Sequence, residues 1–256
     1  MKYVFFIVSL LLGIGVYAQN DTIRLRVMTY NLRFGQLASL DELANHIKSF
    51  KPDFVALEEV DINTHRDRAP HQNGKNFITE LSQKTGLFGL YGKTINYQGG
   101  YYGIGILSRY PYYSVNKTLL PNPEKNEQRA LLEGFFETDK NDTIIFATTH
   151  LDVKADKPRA VQARFICNRF KNAKYPVILG GDFNAEPTEP AIKDVMKKMW
   201  LSVTNDDLSF PAWDPTIKID YLFTYPMKGW QVIRTQTVHS LLSDHLPIVT
   251  DLIYIR

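Results

Sequence analysis

Six short segments of this sequence place carboxylates, amides and imidazoles beside apolar, strand-like runs. Tyr30-Asn31-Leu32-Arg33 closes the first run, Leu57-Glu58-Glu59-Val60-Asp61 the second, and Thr149-His150-Leu151-Asp152 a third. Gly180-Gly181-Asp182-Phe183-Asn184 follows another, Ile219-Asp220-Tyr221 enters the next, and Ser243-Asp244-His245-Leu246-Pro247 precedes the last. A strand is a rigid carrier, so a side chain at its end can be delivered to an edge shared with other strands. The inventory suits phosphoryl transfer to water. Hard oxygen donors without a cysteine or histidine cluster favour Mg2+ or Mn2+. An aspartate can deprotonate water, and two imidazoles can stabilise charge developing on phosphate oxygens.

The elements that must position these groups are legible in outline. Ile23, Leu25 and Val27 alternate with polar residues as a half-buried strand does. Ser39-Leu40-Asp41-Glu42 reads as a capping box, with Leu40, Leu43, Ala44 and Ile47 on one stripe of a helix that Lys51-Pro52 ends. Short buried strands are expected over 54–57 and 177–179, and β-branched or aromatic residues predict strands over 103–108, 130–136, 143–150, 219–223, 232–238 and 248–253. Helices are expected over 76–84, from Pro158 to about Phe170, and over 190–199. Two sheets packed together with helices outside bury all of these faces.

The chain has 256 residues, 30 Lys+Arg against 27 Asp+Glu, a formal charge of +3 and 44% hydrophobic residues. That composition is globular, and with 15 Phe, 14 Tyr and 3 Trp it is not that of a disordered chain. A single cysteine, Cys167, excludes an intramolecular disulfide framework and reads as a helix residue facing the interior. No repeat, linker or low-complexity stretch divides the chain. No Lys/Arg run of the kind that grips polyanions stands out, so tight binding to nucleic acid is not favoured. Met1-Lys2, the apolar run 3–17 and Ala18-Gln19 have the form of a secretory signal. Residues 1–18 are therefore expected to be removed, with the mature chain 19–256 exported to the periplasm or beyond the cell. No later run has the roughly 20 apolar residues of a membrane-spanning helix.

In this order the six segments resemble the endonuclease/exonuclease/phosphatase superfamily, whose members include deoxyribonuclease I, apurinic endonucleases, neutral sphingomyelinases and inositol polyphosphate 5-phosphatases. The resemblance covers essentially all of 19–256, taken as one domain. Gly181-Asp182-Phe183-Asn184 and Ser243-Asp244-His245 are its most specific parts. It implies an α/β (α+β) four-layered sandwich, with two packed, mainly antiparallel β-sheets flanked by helices. It also implies roles residue by residue. Glu59 would be the principal metal ligand, with Asn31 and Asp244 beside the ion. Asp182 would activate water, and Asn184 would orient it. His245, oriented by Asp220, would bind the scissile phosphate, and His150 would contact it from the other side. The family usually carries Gln where this chain has Glu58. Alternation along a strand would turn Glu58 away from Glu59, so that it need not touch the metal. Arg129 matches a family arginine before a strand, and Arg66 and Tyr102 are further candidates for substrate contact.

The expected protein is thus an exported, Mg2+- or Mn2+-dependent phosphoesterase, with phosphodiester hydrolysis preferred and a monomeric state. A phosphomonoesterase for sugar or inositol phosphates, a sphingomyelinase-like phospholipid hydrolase and a nuclease are the enzymatic alternatives. An inactive ligand-binding sandwich is the non-enzymatic one. Phe210-Pro211-Ala212-Trp213 is the one loop with the apolar character that a lipid surface would use.

Overall fold

Alternating apolar side chains give each sheet two faces to cover, and the architecture follows from covering all four. The computed structural model describes residues 22–139 and 142–255, so the expected leader 1–18 lies outside the described residues. The described residues form twelve strands: β1 (Thr22–Asn31), β2 (Phe54–Ile62), β3 (Phe88–Tyr97), β4 (Gly100–Ser108), β5 (Tyr112–Leu119), β6 (Ala130–Glu137), β7 (Thr143–His150), β8 (Val177–Asp182), β9 (Leu201–Ser202), β10 (Asp220–Tyr225), β11 (Trp230–Thr237) and β12 (Ile248–Ile255). They form two six-stranded sheets, ordered β11-β12-β1-β2-β4-β3 and β5-β6-β7-β8-β10-β9. Every neighbouring pair is antiparallel except β1/β2 and β7/β8. A parallel joint needs a crossover. Helices α1 (Leu40–Ser49) and α3 (Asp156–Phe170) supply the two, and α2 (Phe77–Thr85) joins α1 on its layer.

Between the sheets lie Leu25, Val27, Phe54 and Ala56 from one side and Leu132, Phe146, Ile178 and Leu222 from the other. Phe54 stacks on Phe146 with ring centroids 4.8 Å apart. The outer face of the first sheet, including Met28, Val55 and Leu57, packs under α1 and α2. The outer face of the second, including Ala147, Leu179 and Phe183, packs under α3 and a π-helical segment, Ala191–Met196. This is the four-layered sandwich expected from the sequence.

Local signals explain most boundaries. Ser39 accepts from the Glu42 amide while the Glu42 carboxylate returns to Ser39, a complete capping box. Helix α3 starts two residues before Pro158, which therefore sits in the first turn, where its missing N–H costs nothing. The strands β3 and β5 were not expected from the sequence. β3 is interrupted by Gly89 and Gly92, and β5 is an edge strand with mostly exposed side chains, so neither has a clean alternation to read. Gly180 matters to the layering, because a Cβ there would lie 2.6 Å from Ala56 Cβ on the opposite sheet.

Candidate active site

The two parallel joints decide where the chemistry collects. Parallel neighbours end at the same edge, so β1 and β2 deliver Asn31 and Glu58 as direct partners, and β7 and β8 deliver His150 and Asp182 likewise. The antiparallel strand β10 starts at that edge and sets Asp220 opposite Asp182. The close approach of β7 and β8 depends on Gly181, since a Cβ there would stand 2.1 Å from the Thr149 carbonyl oxygen. A staple joins the sheets' contributions: Ser243 Oγ donates to the Asn31 carbonyl at 2.7 Å, which places the Asp244-His245 turn beside the end of β1.

Asp182 is the hub, 1% exposed. Its Oδ1 accepts the Asn184 backbone N–H at 2.8 Å, in a turn where Asn184 is left-handed (φ 47°). Its Oδ2 accepts from Asn31 Nδ2 at 3.1 Å and is faced by His150 Nε2 at 3.4 Å and His245 Nε2 at 3.7 Å. Burial, together with the Asp220 charge, raises the Asp182 carboxyl to about 7 against the pull of His245. His245 Nδ1 lies 3.0 Å from Asp220 Oδ2. Burial works against the charged ring, but the Asp220 and Asp182 carboxylates outweigh it and raise His245 to about 10. His150 goes the other way: burial and the neighbouring Arg129 and His245 charges hold it well below the ordinary histidine value. The two imidazoles therefore stand at neutral pH in opposite charge states.

Glu59 reaches the site through an irregularity. Phe54 and Ala56 face the sheet interface and Val55 and Leu57 face the helices, so simple alternation would send residue 59 under the helices. A bulge between Leu57 and Val60 intervenes, with Glu59 in a left-handed conformation (φ 56°), and its carboxylate turns into the cleft instead. Glu58 keeps the inward direction and accepts a 2.8 Å hydrogen bond from Thr148 on the opposite sheet. It does not line the cleft, but it lies close enough to Asp220 and Asp182 that burial and their charges push its carboxyl well up.

Asp244 is held by Arg33, which lies within the first of the six segments but was given no role from the sequence. The Arg33 guanidinium donates to Asp244 Oδ2 and, through Nε, to Gln36 Oε1 at 2.8 Å. Its backbone N–H donates to Asn31 Oδ1 at 2.9 Å. Arg33 and Phe34 both have positive φ (45° and 44°), a strained arrangement of the kind that persists where the surroundings demand it.

The cleft, about 550 Å³, is lined by Glu59, Tyr102, Arg129, His150, Asp182, Asn184, Asp244 and His245 among others. Asn31 and Asp220 stand directly behind these groups, so nearly every residue named from the sequence converges here. Arg129 Nη1 contacts His150 Nδ1 at 3.1 Å and Glu127 at 2.9 Å. Arg66 is apart. It is tied to Asp61 at 2.6 and 2.9 Å and stacked against Phe34, Tyr97 and Tyr102, so it backs Tyr102 without entering the cleft. Phe210, whose ring lies 4.7 Å from that of His245, also borders the cleft and was seen in the sequence only as part of an apolar loop.

The donor set suits a hard cation. Glu59 has one long hydrogen bond, from Asn31 Nδ2 at 3.4 Å, and no ion pair among the described residues, although burial raises its carboxyl. An oxygen-only set of Glu59, Asp244 and the Asn31 amide fits Mg2+ or Mn2+. Asp182, Asp220 and His245 also bring ligand atoms within 4.8 Å of one another. There the His245 Nδ1 is already engaged by Asp220, which fits a carboxylate-histidine pair better than a ligand set.

Residues 28–245 match the model of the Endonuclease/Exonuclease/phosphatase family. Solved structures share the fold. An endonuclease/exonuclease/phosphatase family protein from Bacteroides thetaiotaomicron is 17% identical with a TM-score of 0.76, covering 92% of this chain and 99% of that one. A functionally unknown conserved protein from Enterococcus faecalis V583 is 22% identical with a TM-score of 0.74, covering 89% and 98%. The mannosyl-6-phosphatase Bt3783 of Bacteroides thetaiotaomicron VPI-5482 is 17% identical with a TM-score of 0.73, covering 89% and 99%. No curated protein matches the chain in sequence.

Proposed function

The chain belongs to the endonuclease/exonuclease/phosphatase family, hydrolases of phosphate esters, and from that premise we propose that it is an exported, Mg2+- or Mn2+-dependent phosphodiesterase that directs water at phosphorus without a covalent intermediate. The observation that carries this reading is the buried carboxylate of Asp182, raised to about 7 and flanked by two imidazoles in opposite charge states. A base with that affinity for protons is matched to work near neutrality.

In this reading Asp182 takes the proton of the attacking water, and Asn184 helps orient that water. His245, kept protonated by Asp220, presents positive charge to a phosphate oxygen, and His150 approaches the same phosphate from the far side of Asp182. Glu59, Asp244 and Asn31 would hold the cation, which when bound neutralises phosphate charge and polarises the ester. Arg33 fixes Asp244 for that task.

A diester suits the charge of the cleft. Of the cationic groups lining the cleft, Arg129 is paired with Glu127, Arg159 with Asp156 and Glu189, and His245 with Asp220, so little uncompensated positive charge faces the phosphate, which matches a monoanion better than a dianion. Glu127, Glu186 and Glu189 on the rim disfavour an extended polyanion, which supports a small substrate over nucleic acid. All of these side chains belong to one chain, so the site needs no second copy, and a monomer is part of the proposal. Export rests on the leader-like sequence over 1–19.

The test is hydrolysis of bis-p-nitrophenyl phosphate beside p-nitrophenyl phosphate, with Mg2+, Mn2+ or chelator and an Asp182→Asn control. Metal-dependent cleavage of the diester, abolished in the control, is the expected result. Preference for the monoester would move the assignment to a sugar- or inositol-phosphate phosphatase, in line with the fold shared with a mannosyl-6-phosphatase. Activity indifferent to chelator would refute the cation.

A further inference from the structure

We propose that Arg129 is a positioning residue that fixes the tautomer of His150, so that this imidazole faces the reaction as a neutral Nε2–H donor. The functional weight of this inference rests on reading His150 as a phosphate-facing group; its geometry does not. Hydrogen counting carries it. A guanidinium has five N–H donors and no acceptor. Arg129 Nη1 lies 3.1 Å from His150 Nδ1, and the two residues are each 4% exposed, so no water competes for the contact. A ring nitrogen met by an obligatory donor must offer its lone pair. The single proton of a neutral ring therefore sits on Nε2, and a second proton on Nδ1 would oppose two N–H groups.

The fold holds this contact in place. Leu131 and Thr149 are antiparallel partners on β6 and β7, a register that continues to Ala130 opposite His150 and leaves Arg129, one residue further along, diagonal to the imidazole. Glu127 accepts from the same Nη1 at 2.9 Å and keeps the guanidinium from swinging away.

His245 is the converse case, since its Nδ1 meets a carboxylate, an obligatory acceptor, at 3.0 Å and so carries a proton. Both rings aim Nε2 at Asp182 Oδ2. With its proton fixed on Nε2, His150 presents a donor towards that oxygen and keeps no lone pair there for the proton of water. Arg129 in this way keeps His150 from competing with Asp182 as the base and lets it contribute a hydrogen bond without adding charge.

The test is long-range 1H–15N correlation of the histidine side chains in the metal-free full chain, with the His150 signals assigned through His150→Gln. Wild-type protein should show an unprotonated Nδ1 and a protonated Nε2. Arg129→Met should mix the tautomers or move the proton to Nδ1. Arg129→Lys, also only a donor, should restore the wild-type pattern. Arg129→Met should also lower kcat about tenfold or more with a smaller change in KM. Arg129→Leu, which likewise offers Nδ1 no donor, replaces the methionine variant if that one does not fold. A wild-type His150 protonated at Nδ1, or a tautomer unchanged in the folded Met or Leu variant, overturns the proposal. Because the spectra do not depend on turnover, a chain with the expected tautomer but no hydrolase activity would keep this inference's geometry while losing the proposed function.

Discussion

Asp182→Asn should destroy activity and strengthen the fold, and the second effect has a calculable pH dependence. An unfolded aspartate titrates near 3.8, whereas in the folded, metal-free protein burial raises Asp182 to about 7. A raised carboxyl contributes stability at low pH that is lost as pH rises between the unfolded and folded values. At about pH 8 the ionised carboxylate costs roughly 4 kcal/mol relative to a neutral group, against about 2 kcal/mol at pH 5. Asparagine is nearly isosteric and carries no charge, so it removes this cost. Loss of the attraction to His245 and weakening of the Asn184 N–H contact return part of it. The net gain should be about 1–3 kcal/mol near neutrality, and the advantage over wild type should widen by about 2 kcal/mol from pH 5 to pH 8. Urea unfolding of both proteins in chelator at several pH values measures it directly, with loss of order 10²–10⁴ in kcat measured in parallel. A stability difference that stays flat with pH, or an asparagine variant less stable than wild type at about pH 8, would refute the picture of a buried base kept at the expense of stability.

The pH profile of kcat/KM should rise through about 7 as Asp182 loses its proton and fall towards about 10 as His245 loses its own; a profile unchanged between pH 6 and 8 would contradict the general-base role. Asp220→Asn removes the strongest support for the His245 charge, so the alkaline limb should move to lower pH, and an unmoved limb would detach Asp220 from that role. Glu59→Gln should raise the Mg2+ or Mn2+ concentration for half-activation by about tenfold or more, with excess metal restoring part of the activity; identical metal titrations would remove Glu59 from the ligand set. Phe54→Ala, which empties the stack between the sheets, should cost about 3–5 kcal/mol in urea unfolding, and a loss below about 1 kcal/mol would mean that the layers repack around the void.

Much of the fold was written in local patterns. The capping box at Ser39, the period-two apolar runs and the separation of strand-rich and helix-rich stretches each depend on residues a few positions apart, and each reappears in the structure. The types of the reactive groups and their placement at strand ends were equally local, which is why Asp182, His150, His245 and Asp220 could be named together. The exposed edge strand β5 and the glycine-broken β3 escaped because they lack an alternating pattern.

What only the tertiary structure decided concerns orientation and charge. Period-two counting sends Glu59 away from the cleft, and a bulge with left-handed backbone brings it back. Arg66 and Arg129 look alike as isolated arginines, yet Asp61 and the ring of Tyr97 hold one outside the cleft while the register of β6 on β7 sets the other against His150. Two histidines of the same intrinsic proton affinity take opposite charge states: burial disfavours the charged ring in both, a guanidinium adds to it at His150, and carboxylates outweigh it at His245. Proton affinity follows from burial and from the charges within a few ångströms. Those neighbours are supplied by strands far apart in the chain, so the residues were present in the sequence, but their working states arose only when the two sheets closed on each other.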